Sequence, residues 1–199
     1  MKFSIYLVVF FIFGILNANA EKTPEELSST CLGCHGIVSY NNIYPTYKVP
    51  KLGNQHKDYI VSALKGYRSG ERSHPTMQAH ASNLSDSDID KIAGYFSLIK
   101  LSDNTDNANI DIIEEANMCV GCHGVDGNSL ATTFPKIAGQ YKDYLYHSLK
   151  SYQNGKRKNG IMVGIASTLD EQQIKKLSKY FSSQNGVLKI NQGRDAIQD

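Results

Sequence analysis

The chain has 199 residues, 41% of them hydrophobic, with 21 lysines and arginines against 19 aspartates and glutamates. A formal net charge of +2, with no run of one sign, excludes the strongly basic surface of a nucleic-acid binder and a polybasic membrane patch. Four cysteines, four methionines and no tryptophan leave few residues able to carry chemistry, so each can be weighed in turn.

Lys2 opens the chain, residues 5–16 form an apolar run, and Ala18-Asn19-Ala20 presents small residues before Glu21. That is the pattern of a secretory signal peptide cleaved after Ala20. The apolar run is shorter than the roughly 20 residues that span a bilayer. A mature chain soluble in a bacterial periplasm is therefore expected.

A short helix beginning near Thr23 carries Cys31-Leu32-Gly33-Cys34-His35 at its end. C-x-x-C-H is the attachment pattern of a c-type haem: both thiols form thioethers with the vinyl groups, and the adjacent histidine offers the iron its proximal nitrogen. The pattern returns as Cys119-Val120-Gly121-Cys122-His123 after a helix start near Ile113, so all four cysteines are used. A cysteine-rich zinc site or two disulfides would also use them, but neither explains the histidine after each pair. Two covalent haem c groups are the expected cofactors.

From Pro50 onward the first half matches the second at a constant offset of 85 residues: Pro50-Lys51 with Pro135-Lys136, Gln55 with Gln140, Lys57-Asp58-Tyr59 with Lys142-Asp143-Tyr144. The cysteines are offset by 88, which places three extra residues in the first half between Tyr40 and Tyr47. Duplication of a single-haem unit explains this pattern. Helices are expected over about 57–67 and 142–152. Pro50 and Pro135 are placed to offer carbonyls to the proximal histidine N–H groups. Arg72 and Arg157 repeat as well; each is either a solvated member of a basic loop or a planar fork for a haem propionate.

Met77 and Met162 occupy matching positions in what reads as a loop, and are taken as the distal iron ligands. Met118 has no twin and is read as packing. His74 and His80 flank Met77, while His56 and His147 lie elsewhere; a bis-histidine iron would have a lower potential, but none of these histidines has a histidine counterpart in the other half. Iron held by histidine and methionine has no open site, which favours electron transfer over chemistry on a bound molecule.

The last helix of each half is announced by a capping pair, Ser85 with Asp88 and Asp170 with Gln173. Ile89, Ile92, Phe96 and Ile99 then recur at helical steps, as do Ile174, Leu177 and Phe181. Tyr95 and Tyr180 are read as core or haem-packing residues. Residues 102–109 are rich in Ser, Asp and Asn without periodicity. The expected organisation is all-α: a signal peptide over 1–20, one helical unit over 21–101, a linker over 102–111 and a second unit over 112–199. Each unit is so small that the haem itself would serve as an apolar plate for its core, and the apo-protein would be poorly folded.

The string Cys119-Val120-Gly121-Cys122-His123-Gly124-Val125-Asp126-Gly127-Asn128-Ser129, followed by Phe134-Pro135-Lys136-Ile137-Ala138-Gly139-Gln140, resembles the haem domain of a class I cytochrome c of the dihaem cytochrome c4 type. Met77 with Leu84-Ser85-Asp86 fits the same pattern in the first half. The resemblance implies two tandem cytochrome c domains related by a pseudo-twofold axis, with haem edges close enough for internal transfer. It also implies electron shuttling from a donor such as a quinol-oxidising complex to a terminal oxidase, with peripheral membrane association allowed for and no nucleic-acid partner. A cytochrome subunit accepting electrons from a periplasmic dehydrogenase is the alternative; a dihaem peroxidase fits less well, because both halves keep a methionine. The first half departs from the pattern at Gly36-Ile37-Val38-Ser39-Tyr40 and at Leu52-Gly53-Asn54-Gln55, and the tail beyond Asn185 is longer than the pattern leads one to expect.

Overall fold

The structure is a computed structural model that describes residues 21–44, 46–99 and 111–190. The expected signal peptide over 1–20, the linker residues 102–110 and the tail residues 191–199 lie outside that range.

Among the described residues the first half is built from four helices. In α1 (Pro24–His35) the Thr23 side chain accepts from the Glu26 N–H while the Glu26 carboxylate accepts from the Thr23 N–H, so the entry turn loses two orphan donors at once. Pro24 sits in the first turn, where its missing N–H costs nothing. The helix ends on Cys31, Cys34 and His35, which fixes these residues on one rigid turn. Helix α2 (Lys57–Ser69) stops at Gly70 in the left-handed region (φ 79°). A short α3 (Pro75–Ala81) follows, and α4 (Asp86–Ser97) starts with the reciprocal Ser85–Asp88 cap. Ile60 and Leu64 of α2 meet Ile89, Ile92 and Phe96 of α4, and α1 packs across α4 from the other side.

The second half repeats the plan. A 3-10 turn (Glu114–Ala116) leads into α5 (Asn117–His123); then come α6 (Lys142–Gln153), α7 (Gly160–Ser167) and α8 (Glu171–Ser183), the last capped by Asp170 with Gln173. Leu145, Leu169, Ile174, Leu177 and Phe181 form its core. Tyr95 and Tyr180 are buried in their respective cores. Among the described residues no strand forms, only isolated bridges, and no helix is long and apolar enough to cross a membrane.

Two expectations need correction. The segments around Met77 and Met162 are helical, not loops: each methionine is the third residue of its helix, and its N–H donates to the capping side chain, His74 Nδ1 at 3.3 Å and Asn159 Oδ1 at 3.1 Å. Pro75 at the first helical position was the available signal. Met118, 53% exposed, belongs to neither core cluster and lines the cavity beside Cys119 and His123. It lies about 100° round the helix from Cys119, whose side packs on the second core.

The halves meet through paired contacts that follow the 85-residue offset. Gln55 accepts from Lys136 N–H at 2.9 Å and donates to Lys136 carbonyl at 2.9 Å; Gln140 does the same to Lys51 at 3.1 and 3.0 Å. Lys51 Nζ reaches the Gly139 carbonyl and Lys136 Nζ the Asn54 carbonyl. Arg72 and Arg157 face each other across an antiparallel bridge, flanked by Ser73 N–H to Lys156 carbonyl and Lys158 N–H to Glu71 carbonyl.

The departure at Gly53-Asn54 has a local cause. Asn54 (φ 61°) and Gly139 (φ 64°) fill the same left-handed turn position, which asparagine tolerates better than most residues. Residue 53 is glycine because the chain after α8 returns here: Gly53 and Lys189 exchange both backbone hydrogen bonds at 2.9 Å, and a Cβ on Gly53 would sit 3.0 Å from the Lys189 carbonyl oxygen. Part of the long tail thus ties the second half to the first.

Candidate haem sites and their shared wall

His35 and His123 are buried at the ends of α1 and α5. The Nδ1 of His35 lies 2.8 Å from the Pro50 carbonyl, and that of His123 lies 2.9 Å from the Pro135 carbonyl. A carbonyl only accepts, so each Nδ1 carries the proton and each Nε2 keeps a free lone pair. Burial pushes His35 down to about 4 against the pull of that carbonyl, and burial likewise lowers His123. Both rings are therefore neutral at pH 7, the form that ligates a metal.

Cys119, Cys122 and His123 line one cavity of about 590 Å³ together with Met162, Arg157 and Ile137. That volume is in the range of about 300–1,000 Å³ usual for cofactor sites. In the first half Cys31, Leu32, Leu52 and Met77 surround the matching core. No cysteine pairs in a disulfide, and burial raises the Cys31 and Cys119 thiols. Among the described residues no three metal-binding side chains gather around a point.

The two arginines are not solvated. Arg157 is 6% exposed, and its guanidinium lies 5.5 Å from the ring centres of Tyr144 and Tyr152. Arg72 lies 4.7 Å from Tyr67 and 5.8 Å from Tyr59, donates to both phenols, and has a buried Nε without a partner. Neither arginine pairs with a carboxylate among the described residues, although Arg72 also lines the cavity that holds Cys119 and His123. Burial pushes Tyr144 up, but the Arg157 and Arg72 guanidiniums outweigh it and pull the phenol down. A buried Arg157 beside a half-buried Arg72, neither with an anion among the described residues, is costly unless a carboxylate-bearing group completes the site. A haem with its propionates has that chemistry, and the apolar cavity, paired thiols and neutral histidines fit the rest of it.

The competing histidines are engaged elsewhere. His74 caps α3 through Nδ1 and has its Nε2 3.1 Å from the Asn42 side-chain amide; His80 is exposed. His56 Nε2 lies 2.6 Å from the Ser129 carbonyl of the other half, and the His147 ring stacks on Tyr47 at 4.2 Å. Sequence reasoning gave no role to Gln55 or Gln140, and read the repeated aromatics, Tyr59 with Tyr144 and Tyr67 with Tyr152 among them, only as core or haem packing. Their repetition at the 85-residue offset was the signal that could have found them.

The profile of the cytochrome c family matches residues 113–185. Cytochrome c-552 of Acidithiobacillus ferridurans is 32% identical over 80% of this chain and 76% of its own. Cytochrome c4 of Pseudomonas aeruginosa is 31% identical over 84% of this chain and 90% of its own, and a thiosulfate dehydrogenase electron acceptor of Stutzerimonas stutzeri is 29% identical over 77% and 78%. Among solved structures, cytochrome c4 of Acidithiobacillus ferrooxidans superposes with a TM-score of 0.63 at 32% identity, over 78% of this chain and 99% of that one.

Proposed function

Because the chain belongs to the cytochrome c4 family, dihaem electron-transfer proteins with covalently bound haem c, we propose that it is a periplasmic one-electron carrier whose irons are held by His35 with Met77 and by His123 with Met162. The neutral histidines with Nδ1 bound to Pro50 and Pro135, set against methionines at matching helix positions, carry this reading. The units proposed are 21–101 and 112–199, joined by 102–111 and preceded by a signal peptide.

When bound, each haem supplies a reversible ferric–ferrous couple. Cys31 with Cys34 would hold one haem covalently, and Cys119 with Cys122 the other. The Pro50 and Pro135 carbonyls fix the tautomer and ring plane of each histidine, so the ligand does not reorient between oxidation states. Ile89, Phe96, Ile174 and Leu177, all 1% exposed or less, give each site a rigid, water-free back wall. Arg72 and Arg157 would pair with propionates at the wall shared by the two halves, bringing the two redox centres together there.

For partners, a quinol-oxidising donor and a terminal oxidase fit a free carrier. The likeness to a thiosulfate dehydrogenase electron acceptor favours a second reading, in which the chain takes electrons from a periplasmic dehydrogenase. A spectroelectrochemical titration of the holoprotein tests the ligands. Two high-potential haems, both showing the sulfur-to-iron band of the ferric state, are expected; a high-spin or low-potential haem would remove one methionine from the assignment. Copurification with a larger catalytic chain would select the second partner reading.

A further inference from the structure

The peptide group that holds each proximal histidine also belongs to the interface between the halves. The Pro50 carbonyl accepts from His35 Nδ1 at 2.8 Å, and the N–H at the other end of that same peptide unit, Lys51 N–H, donates to Gln140 Oε1 at 3.1 Å. In the second half the Pro135 carbonyl accepts from His123 Nδ1 at 2.9 Å, and Lys136 N–H donates to Gln55 Oε1 at 2.9 Å. Gln55 is 4% exposed and Gln140 3%; each is fixed further by accepting the N–H of the next residue (His56 or Tyr141, both at 3.0 Å) and by donating Nε2 to the partner lysine carbonyl. Each chain runs imidazole N–H, peptide C=O, peptide N–H, glutamine amide, and crosses from one half to the other.

Hydrogen bonds in series through an amide polarise one another, the more so where water is excluded. An acceptor on the peptide N–H places more negative charge on the peptide oxygen. That strengthens the oxygen's hold on the imidazole proton and makes the free ring nitrogen more basic. We propose that Gln140 is a positioning and tuning residue for the His35 site and Gln55 for the His123 site, so that each half sets the ligand strength of the other through a single peptide group. The inference rests on His35 and His123 being the iron ligands proposed above. Its sign follows: a more basic imidazole favours ferric iron, so losing the glutamine acceptor raises the potential of the haem in the opposite half. Because the bond is present in both oxidation states, only part of a strengthening of about 10–30% acts on the ferric–ferrous equilibrium, a change of roughly twofold.

The test is a redox titration of holoprotein followed by NMR, with the two haems distinguished by their shifted methyl resonances. In Gln140→Met, which removes the acceptor and keeps the volume, the potential at His35 is expected to rise while that at His123 stays. Gln55→Met should do the reverse. Gln140→Glu, which keeps an acceptor on Lys51 N–H, should hold the His35 potential at or below its unmodified value and also covers the case in which Gln140→Met does not fold. A glutamine that only glues the halves would, on removal, admit water to both haems and move both potentials together. That result, a shift confined to the glutamine's own half, or no shift would overturn the relay. Paramagnetically shifted ring signals from His35 and His123 in the unmodified ferric protein separate the two claims: if they are present, failure of the crossed shift sinks the relay alone. If they are absent, the ligand assignment falls and the relay with it.

Discussion

His35 and His123 are each left with one free nitrogen by a single contact, Nδ1 to a proline carbonyl. Pro50 and Pro135 were legible as acceptors because each follows its haem motif at a loop position and repeats at the fixed offset. Met77 and Met162 were legible by symmetry, but their helical setting depends on capping side chains of different chemistry, His74 and Asn159, which hide the equivalence from a reading of residue types. On the ligation proposed above, replacing Met162 with His would keep a sixth ligand but trade sulfur for nitrogen. The second haem's potential is then expected to fall, and about half of the sulfur-to-iron absorption to disappear, leaving the share of Met77. Unchanged absorption would show that Met162 is not a ligand.

At the scale of elements, the starts of three of the five longer helices among the described residues follow from local chemistry. The reciprocal caps at Thr23, Ser85 and Asp170 each satisfy two entry donors, and the apolar residues of α4 and α8 fall on one face. Asp170→Ala removes one of these caps at an exposed site. It should cost about 1 kcal/mol and lower the melting temperature of the holoprotein by roughly 4–8 °C if the half melts as a unit of under a hundred residues. A melting curve that does not move would mean that α8 is held by its buried face alone. The short helices α3 and α7 were missed because seven or eight residues give too little periodicity to read; the caps at His74 and Asn159 and packing against α2 and α6 hold them helical.

At the scale of the molecule, the interface joins groups far apart in sequence. The Tyr47 ring, from the segment that carries the first half's extra residues, stacks on His147, and Lys48 N–H donates to Asp143. Burial, followed by the charges of Arg157 and Lys156 and by His74, lowers His147 to about 4. In the unfolded chain the same group titrates near 6.5, so on acidification the unfolded state takes up the proton first. Stability should therefore fall as pH drops from about 6.5 towards 4. His147→Phe, which keeps a ring against Tyr47, should flatten the slope in that window. Thermal denaturation of the holoprotein across the range measures it, and an equal slope in the variant would assign the acid loss to other groups.

The sequence by itself determined what depends on neighbours along the chain: two haem-attachment motifs, the duplication, the capped amphipathic helices and the all-helical class. Spacing of a few residues sets thioether geometry, capping and helix faces, so these features survive without knowledge of the partner half. Only the tertiary structure decided what depends on groups 80 or more residues apart. It turned Gln55 and Gln140 into ties across the interface and set Arg72 against Arg157, each also packed on tyrosines of its own half. It also explained Gly53 by the returning tail at Lys189. Burial and long-range hydrogen bonding depend on which surfaces are brought together, and a one-dimensional pattern records that only as unexplained repetition.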